Sequence, residues 1–64
     1  MNPATILLIE DEAAIADTLG FVLERQGLRV HWVALAGEGL AHLAQHTVDL
    51  VILDVGLPDA NGLE

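Results

Sequence analysis

Two short apolar runs, each ending on acidic residues, constrain this 64-residue chain more than anything else in it. Thr5 to Ile9 runs straight into Glu10-Asp11-Glu12, and Val48 to Leu53 runs into Asp54. A β-prone apolar run of that length, cut off by polar residues, predicts a strand covered on both faces, as in a parallel sheet. Between the two runs, Ala13 to Gln26 has a helical pattern, with Ile15, Leu19 and Val22 on one face and Leu23 beside them. Asp11 or Glu12 suits its N-terminus, and Gly27 suits the position that ends it. Leu28 to Val33 alternates, setting Leu28, Val30 and Trp32 opposite Arg29 and His31, which predicts a second strand nearer an edge. Ala36 to His46 reads as a weaker helix with Leu40, Leu43 and Ala44 as its stripe, because Gly37 and Gly39 lower the propensity near its start. The stretch Val55 to Gly62 is rich in turn residues, and Leu63-Glu64 begins a further element.

The predicted order is β-α-β-α-β, an α/β fold. Helices between consecutive strands require parallel strands and right-handed crossovers. Ligand sites in such sheets lie beyond the carboxyl ends of the strands. Glu10-Asp11 and Asp54 stand at those ends, on the first and third strands. Taken singly, each acid reads as a helix or loop cap. Held together, the three carboxylates repel one another unless a cation neutralises them. Mg²⁺ fits, since it takes one or two carboxylates directly and keeps several waters, leaving positions for phosphate oxygens. Asp54 then becomes a candidate nucleophile of the aspartyl-phosphate kind, with the metal offsetting charge on the incoming phosphoryl group.

Composition narrows the alternatives. A chain this short buries only about 60% of its unfolded surface, yet 53% of its residues are hydrophobic. That suits an interior slice of a larger domain. There is no cysteine, so no disulfide or thiolate metal site. Ten acidic residues against Arg25 and Arg29 give a charge of −8, which repels nucleic acid. The first apolar run is short and lacks a basic leader, and no stretch reaches the roughly 18 apolar residues of a membrane span. A cytoplasmic location is expected. His42 and His46 stand one helical turn apart but lack the flanking Glu of a metalloprotease motif, and with His31 they read as ordinary surface or partly buried histidines. Trp32 reads as packing on the sheet. Gly37 and Gly39 follow the second strand and lack the third glycine of a dinucleotide fingerprint.

Leu7 to Glu12 resembles the acidic-pocket motif of the response-regulator receiver family of two-component signalling. Val51 to Gly62 resembles its phosphorylation-site motif, with Pro58 four and Gly62 eight residues after Asp54. The match runs from about residue 5 to the end of the chain. Ile15 to Leu19 and Ile52 to Asp59 are most similar to the CreB-type members of the OmpR/PhoB class. The resemblance implies a flavodoxin-like doubly wound parallel sheet and phosphorylation of Asp54 by a phosphohistidine on a sensor kinase. It also implies Mg²⁺ held by Asp11 and Asp54 directly, by Glu10 mainly through water, and by the backbone carbonyl of Gly56. Kinase docking falls on the start of the first helix, at Ala14, Ile15 and Thr18.

A complete receiver has five strands and roughly twice this length. The resemblance therefore implies that residues 1–64 are the N-terminal part of a single receiver domain. The fourth-strand Ser or Thr, the fifth-strand Lys and any DNA-binding domain are absent from it. Without those partners, efficient phosphorylation by this segment is not expected, and it is not an enzyme in its own right. An open third-strand edge invites self-association, including a homodimer paired through that strand, or an inert piece that only assembles. An aspartyl-nucleophile phosphatase of the haloacid-dehalogenase type fits poorly. It wants a second Asp two residues after the nucleophile, on the first strand, and here that position is Gly56 on the third. A flavin or nucleotide module needs a phosphate-cradling loop after the first strand, where this chain places three acids.

Overall fold

The computed structural model describes residues 3–53. Within them lie β1 (Thr5–Ile9), α1 (Ala13–Arg25), β2 (Arg29–Val33), α2 (Ala36–Gln45) and β3 (Leu50–Leu53). The strands form one parallel sheet in the order β2-β1-β3, the expected α/β, flavodoxin-like arrangement, with β2 at an edge. The register pairs Leu7 with His31 and Val51, and Leu8 with Trp32 and Ile52. Paired residues of parallel strands share a face, so Leu7, Ile9, His31 and Val33 face α2, while Ile6, Leu8, Val30 and Trp32 face α1.

β1 is the core. Ile6, Leu7, Leu8 and Ile9 are all buried, Leu7 completely. Each such side chain contributes roughly 1.5–3 kcal/mol of burial. On one face Leu7 and Ile9 pack with Val33, Ala36 and Val48. The last of these lies outside β3, which begins two residues later than the apolar run predicts. Asp49 is turned aside to the end of β1: its N–H donates to the Thr5 carbonyl (2.9 Å), and its carboxylate accepts the Thr5 N–H (2.7 Å).

α1 keeps its expected length but turns a different face inward. Ile15 and Val22 are exposed, and the inward stripe is Ala16, Leu19, Gly20 and Leu23. That stripe also has helical spacing, offset by one residue, and small Ala16 is its buried member. The helix stops as predicted, with Gly27 at φ +83°. The Gly27 N–H donates to Glu24 (3.0 Å) and the Leu28 N–H to Leu23 (3.3 Å), a Schellman motif that takes Leu28 out of the second strand.

In α2 the predicted stripe of Leu40, Leu43 and Ala44 is exposed, and the one buried residue is Gly39. A Cβ on Gly39 would overlap the Ile9 Cδ1 and lie 3.1 Å from its Cγ1. The helix approaches β1 by its backbone, and a leucine stripe is not what seats it.

Candidate functional site

Ile9 and Leu53 are register partners, so β1 and β3 end on the same edge of the sheet. Glu10 follows Ile9 there. Its N–H extends the ladder by one bond to the Val33 carbonyl (3.1 Å), and its own carbonyl accepts the Trp32 indole N–H (2.7 Å). Its Oε1 accepts the Glu12 N–H (3.2 Å). Glu10 is therefore fixed through backbone and side chain, and only 4% of it is exposed. A carboxylate this buried is favourable only where donors or positive charge offset its lost hydration.

Asp11 is exposed, at the bend that follows. Glu12 is the N-cap of α1, but its side chain caps nothing and its carbonyl accepts the Ala16 N–H (3.0 Å). The positive end of α1 thus starts directly behind the acids, where it favours anionic groups. Asp54 and Gly56, the remaining members of the expected set, lie outside the described residues. Among the described residues no cluster of three or more His, Cys, Asp or Glu is placed to hold a metal ion. Glu10 and Asp11 alone bring two hard oxygen donors to the edge, a donor type suited to Mg²⁺ and unsuited to thiophilic metals.

Of the expected docking residues, Ala14, Ile15 and Thr18 are all exposed on the first turns of α1. Ile15 is 42% accessible, which removes its reading as a plain core residue. The Thr18 hydroxyl donates back to the Ala14 carbonyl (3.0 Å), so it is already engaged within its own helix.

Two features gain roles that their sequence context did not suggest. Trp32 is more than packing, because its indole N–H holds the Glu10 carbonyl. The usable signal was chemical: a Trp lying on a sheet needs an acceptor for its N–H. The histidines are the second case. His31 and His42 stack at 4.0 Å between centroids, and His42 and His46 at 4.3 Å. They sit by the amino end of the sheet with Thr5, Arg29 and Thr47, away from the acids. Burial first, then the charges of His31 and His46, holds the His42 imidazole below its ordinary value.

The matching family model is the response regulator receiver domain, over residues 6–64. The chain belongs to the response regulator receiver family. It is 44% identical over 59 residues to the KDP operon transcriptional regulatory protein KdpE of Escherichia coli, covering 92% of this chain and 26% of KdpE. It is 41% identical over 64 residues to the transcriptional regulatory protein CreB of the same organism, covering 100% of this chain and 28% of CreB. It is also 45% identical over 60 residues to the transcriptional regulatory protein AfsQ1 of Streptomyces coelicolor, covering 94% of this chain and 27% of AfsQ1. The resemblance to CreB-type members of the OmpR/PhoB class holds. The chain spans about a quarter of the length of these curated relatives. Among the described residues, no helix is long and apolar enough to cross a membrane.

Proposed function

We propose that this chain is the phosphoacceptor segment of a two-component response regulator, with Asp54 accepting the phosphoryl group of a sensor kinase's phosphohistidine. The observation that carries the reading is Glu10, a buried carboxylate fixed at the edge where β1 and β3 both end. In the transfer, a carboxylate oxygen of Asp54 forms a bond to phosphorus as the phosphorus–nitrogen bond to the kinase imidazole breaks. Asp11 and Asp54 would ligate Mg²⁺ directly, with Glu10 acting mainly through water and the Gly56 carbonyl completing the protein ligands. The ion would neutralise the charge that gathers on the transferring group. Trp32 positions Glu10 by holding its carbonyl. Ala14, Ile15 and Thr18 offer the surface on which the kinase docks.

The segment is a substrate and partner for the kinase, and the whole protein is a cytoplasmic, DNA-binding transcriptional regulator whose DNA contacts lie outside this acidic segment. The test is phosphodonor labelling of the full-length protein. Label should appear with Mg²⁺, vanish with a chelator, and vanish in Asp54→Asn. Label that persists in Asp54→Asn removes that residue from its role. Asp11→Asn should keep some labelling but raise the Mg²⁺ concentration needed for it.

A second reading concerns assembly. Among the described residues β3 has β1 on one side and no strand on the other, and its Leu50 is 55% exposed. Such an edge pairs with another strand. If a second copy supplies it, residues 1–64 in isolation will show a dimeric mass by light scattering, and a monomeric mass discards that pairing.

A further inference from the structure

The amino end of the sheet carries a feature that the phosphoacceptor site does not use. His31 on β2, His42 on α2 and His46, the residue that caps α2, form a stack of three rings. His42 lies in the middle, with ring planes 14° from His31 and 18° from His46. The stack ties the last turn of α2 to the edge strand. Nearer its middle, the same helix is seated by Gly39 against Ile9 and Leu7. α2 therefore has two attachments of different chemistry. The glycine contact is apolar and indifferent to protons, whereas imidazoles change charge between about pH 5 and 8.

Neutral imidazoles tolerate this separation, but two imidazolium rings at about 4 Å repel each other. The middle ring faces that repulsion from both sides. The basic groups around it are Arg29 and His31 from β2 and His46 from the cap of α2; Thr5 and Thr47 line the same hollow without charge. Two acids belong to the surroundings: Glu38, one helical turn before His42 on α2, and Asp49, leading into β3, whose carboxylate accepts the Thr5 N–H. One influence runs the other way. The negative end of the α2 dipole favours a cation in its last turn. Burial and the two neighbouring imidazoles outweigh it, since His42 is held below its ordinary value.

We propose that the His31–His42–His46 stack is a proton-operated clasp, closed while its rings are neutral and released in acid. On release, the last turn of α2 leaves β2 while Gly39 keeps the middle of the helix on the sheet. The direction follows from linkage. Between the lowered value of His42 in the folded protein and its ordinary value of about 6.5, the unfolded or released state binds the extra proton. The clasp contributes its full stability above that ordinary value and loses it as pH falls through the folded one.

The test is a histidine titration by NMR of the untagged full-length protein, from about pH 8 to 5.5. Amide protection factors of Leu43 to His46 are followed alongside. The His42 midpoint should lie below 6.5. Protection in that turn should fall by up to about tenfold per pH unit for one linked proton, while the protection of Gly39 stays level. In His31→Gln the His42 midpoint should return toward 6.5, and in His42→Gln the pH dependence of the turn should flatten. His46→Gln, an exposed position, gives the same shift in weaker form should either of the other variants fold poorly. A His42 midpoint at or above 6.5, or an unchanged pH dependence in all three variants, overturns the clasp.

Discussion

Each helix of this receiver segment carries a glycine well inside it, and the two glycines do opposite things. Around Gly20 in α1, among the described residues, nothing beyond the helix's own backbone and the chain neighbours lies within 4 Å of where a Cβ would stand. Around Gly39 in α2 the same atom would strike Ile9, a residue of the central strand. α1 is a 13-residue helix that leans on the sheet through Ala16, Leu19 and Leu23, so Gly20 only costs it helical propensity. α2 has 10 residues and leaves Leu40 more than two-thirds exposed, so close backbone approach at Gly39, beside Ala36 at its start, is what carries its apolar seating on β1. Composition alone ranks both glycines as defects. Packing makes one of them a requirement.

The sharpest test of that contrast is Gly39→Val. The new side chain must displace Ile9 in the most buried part of the sheet, and the small propensity gain of valine over glycine does not offset that. A loss of about 3 kcal/mol is expected, at the upper end of ordinary overpacking. A urea midpoint measured on the full-length protein reads it. Gly39→Ala should cost less, because a gain of about 1 kcal/mol in helix propensity offsets part of the clash. If Gly39→Val unfolds at the wild-type midpoint, the close approach of α2 to β1 is not what seats the helix.

The same contrast explains what could be read from the sequence and what could not. β1 was legible because Ile6 to Ile9 are apolar without interruption and are cut off by acids after a strand's length, as in a strand covered on both faces. The end of α1 was legible because Gly27 is a local signal that needs no partner. The face of α1 was not, since Ile15-Leu19-Val22 and Ala16-Leu19-Leu23 both have helical spacing, and the choice between them rests on what β1 and β2 present. In β2 the alternation was visible, but its polar face turned out to look at α2, bringing His31 onto His42. The Trp32–Glu10 bond depends on strand register, which no local pattern encodes. Of the candidate site, sequence placed Glu10 and Asp11 at the correct edge, and the structure added how Glu10 is held. Asp54 and Gly56 stand on their place in the phosphorylation-site motif and on the register that ends β3 beside β1.

The helix ends extend the comparison with a smaller effect. α1 closes through Gly27 at φ +83°, whereas α2 closes at His46 in extended backbone, φ −136°, where any residue fits. Gly27→Ala should therefore destabilise by about 1–2 kcal/mol, the cost of a left-handed conformation for a residue with a Cβ. His46→Ala should carry no such backbone penalty. Comparing the two urea midpoints separates a conformational requirement from a merely terminal position. Equal shifts, read in acid where the His46 ring adds no stability to the stack, would mean that the left-handed position of Gly27 costs an alanine nothing.

The smallest expected effect has the opposite sign. Gly20→Ala adds a methyl group where there is open space, on a helix whose backbone is already in place. It removes the conformational freedom that glycine gives the unfolded chain and restores ordinary helix propensity, together a stabilisation of up to about 1 kcal/mol. Gly20 also lines the shallow hollow between α1 and β2 with Phe21, Val30 and Trp32. The added methyl meets none of those side chains, so the gain is one of helix propensity and unfolded-state freedom and depends on nothing else occupying the hollow in the full-length protein. A thermal midpoint that rises in Gly20→Ala and falls in Gly39→Ala establishes the contrast with a single kind of substitution. A fall at both positions would show that α1, too, is seated by close approach, with its partner supplied from outside residues 3–53.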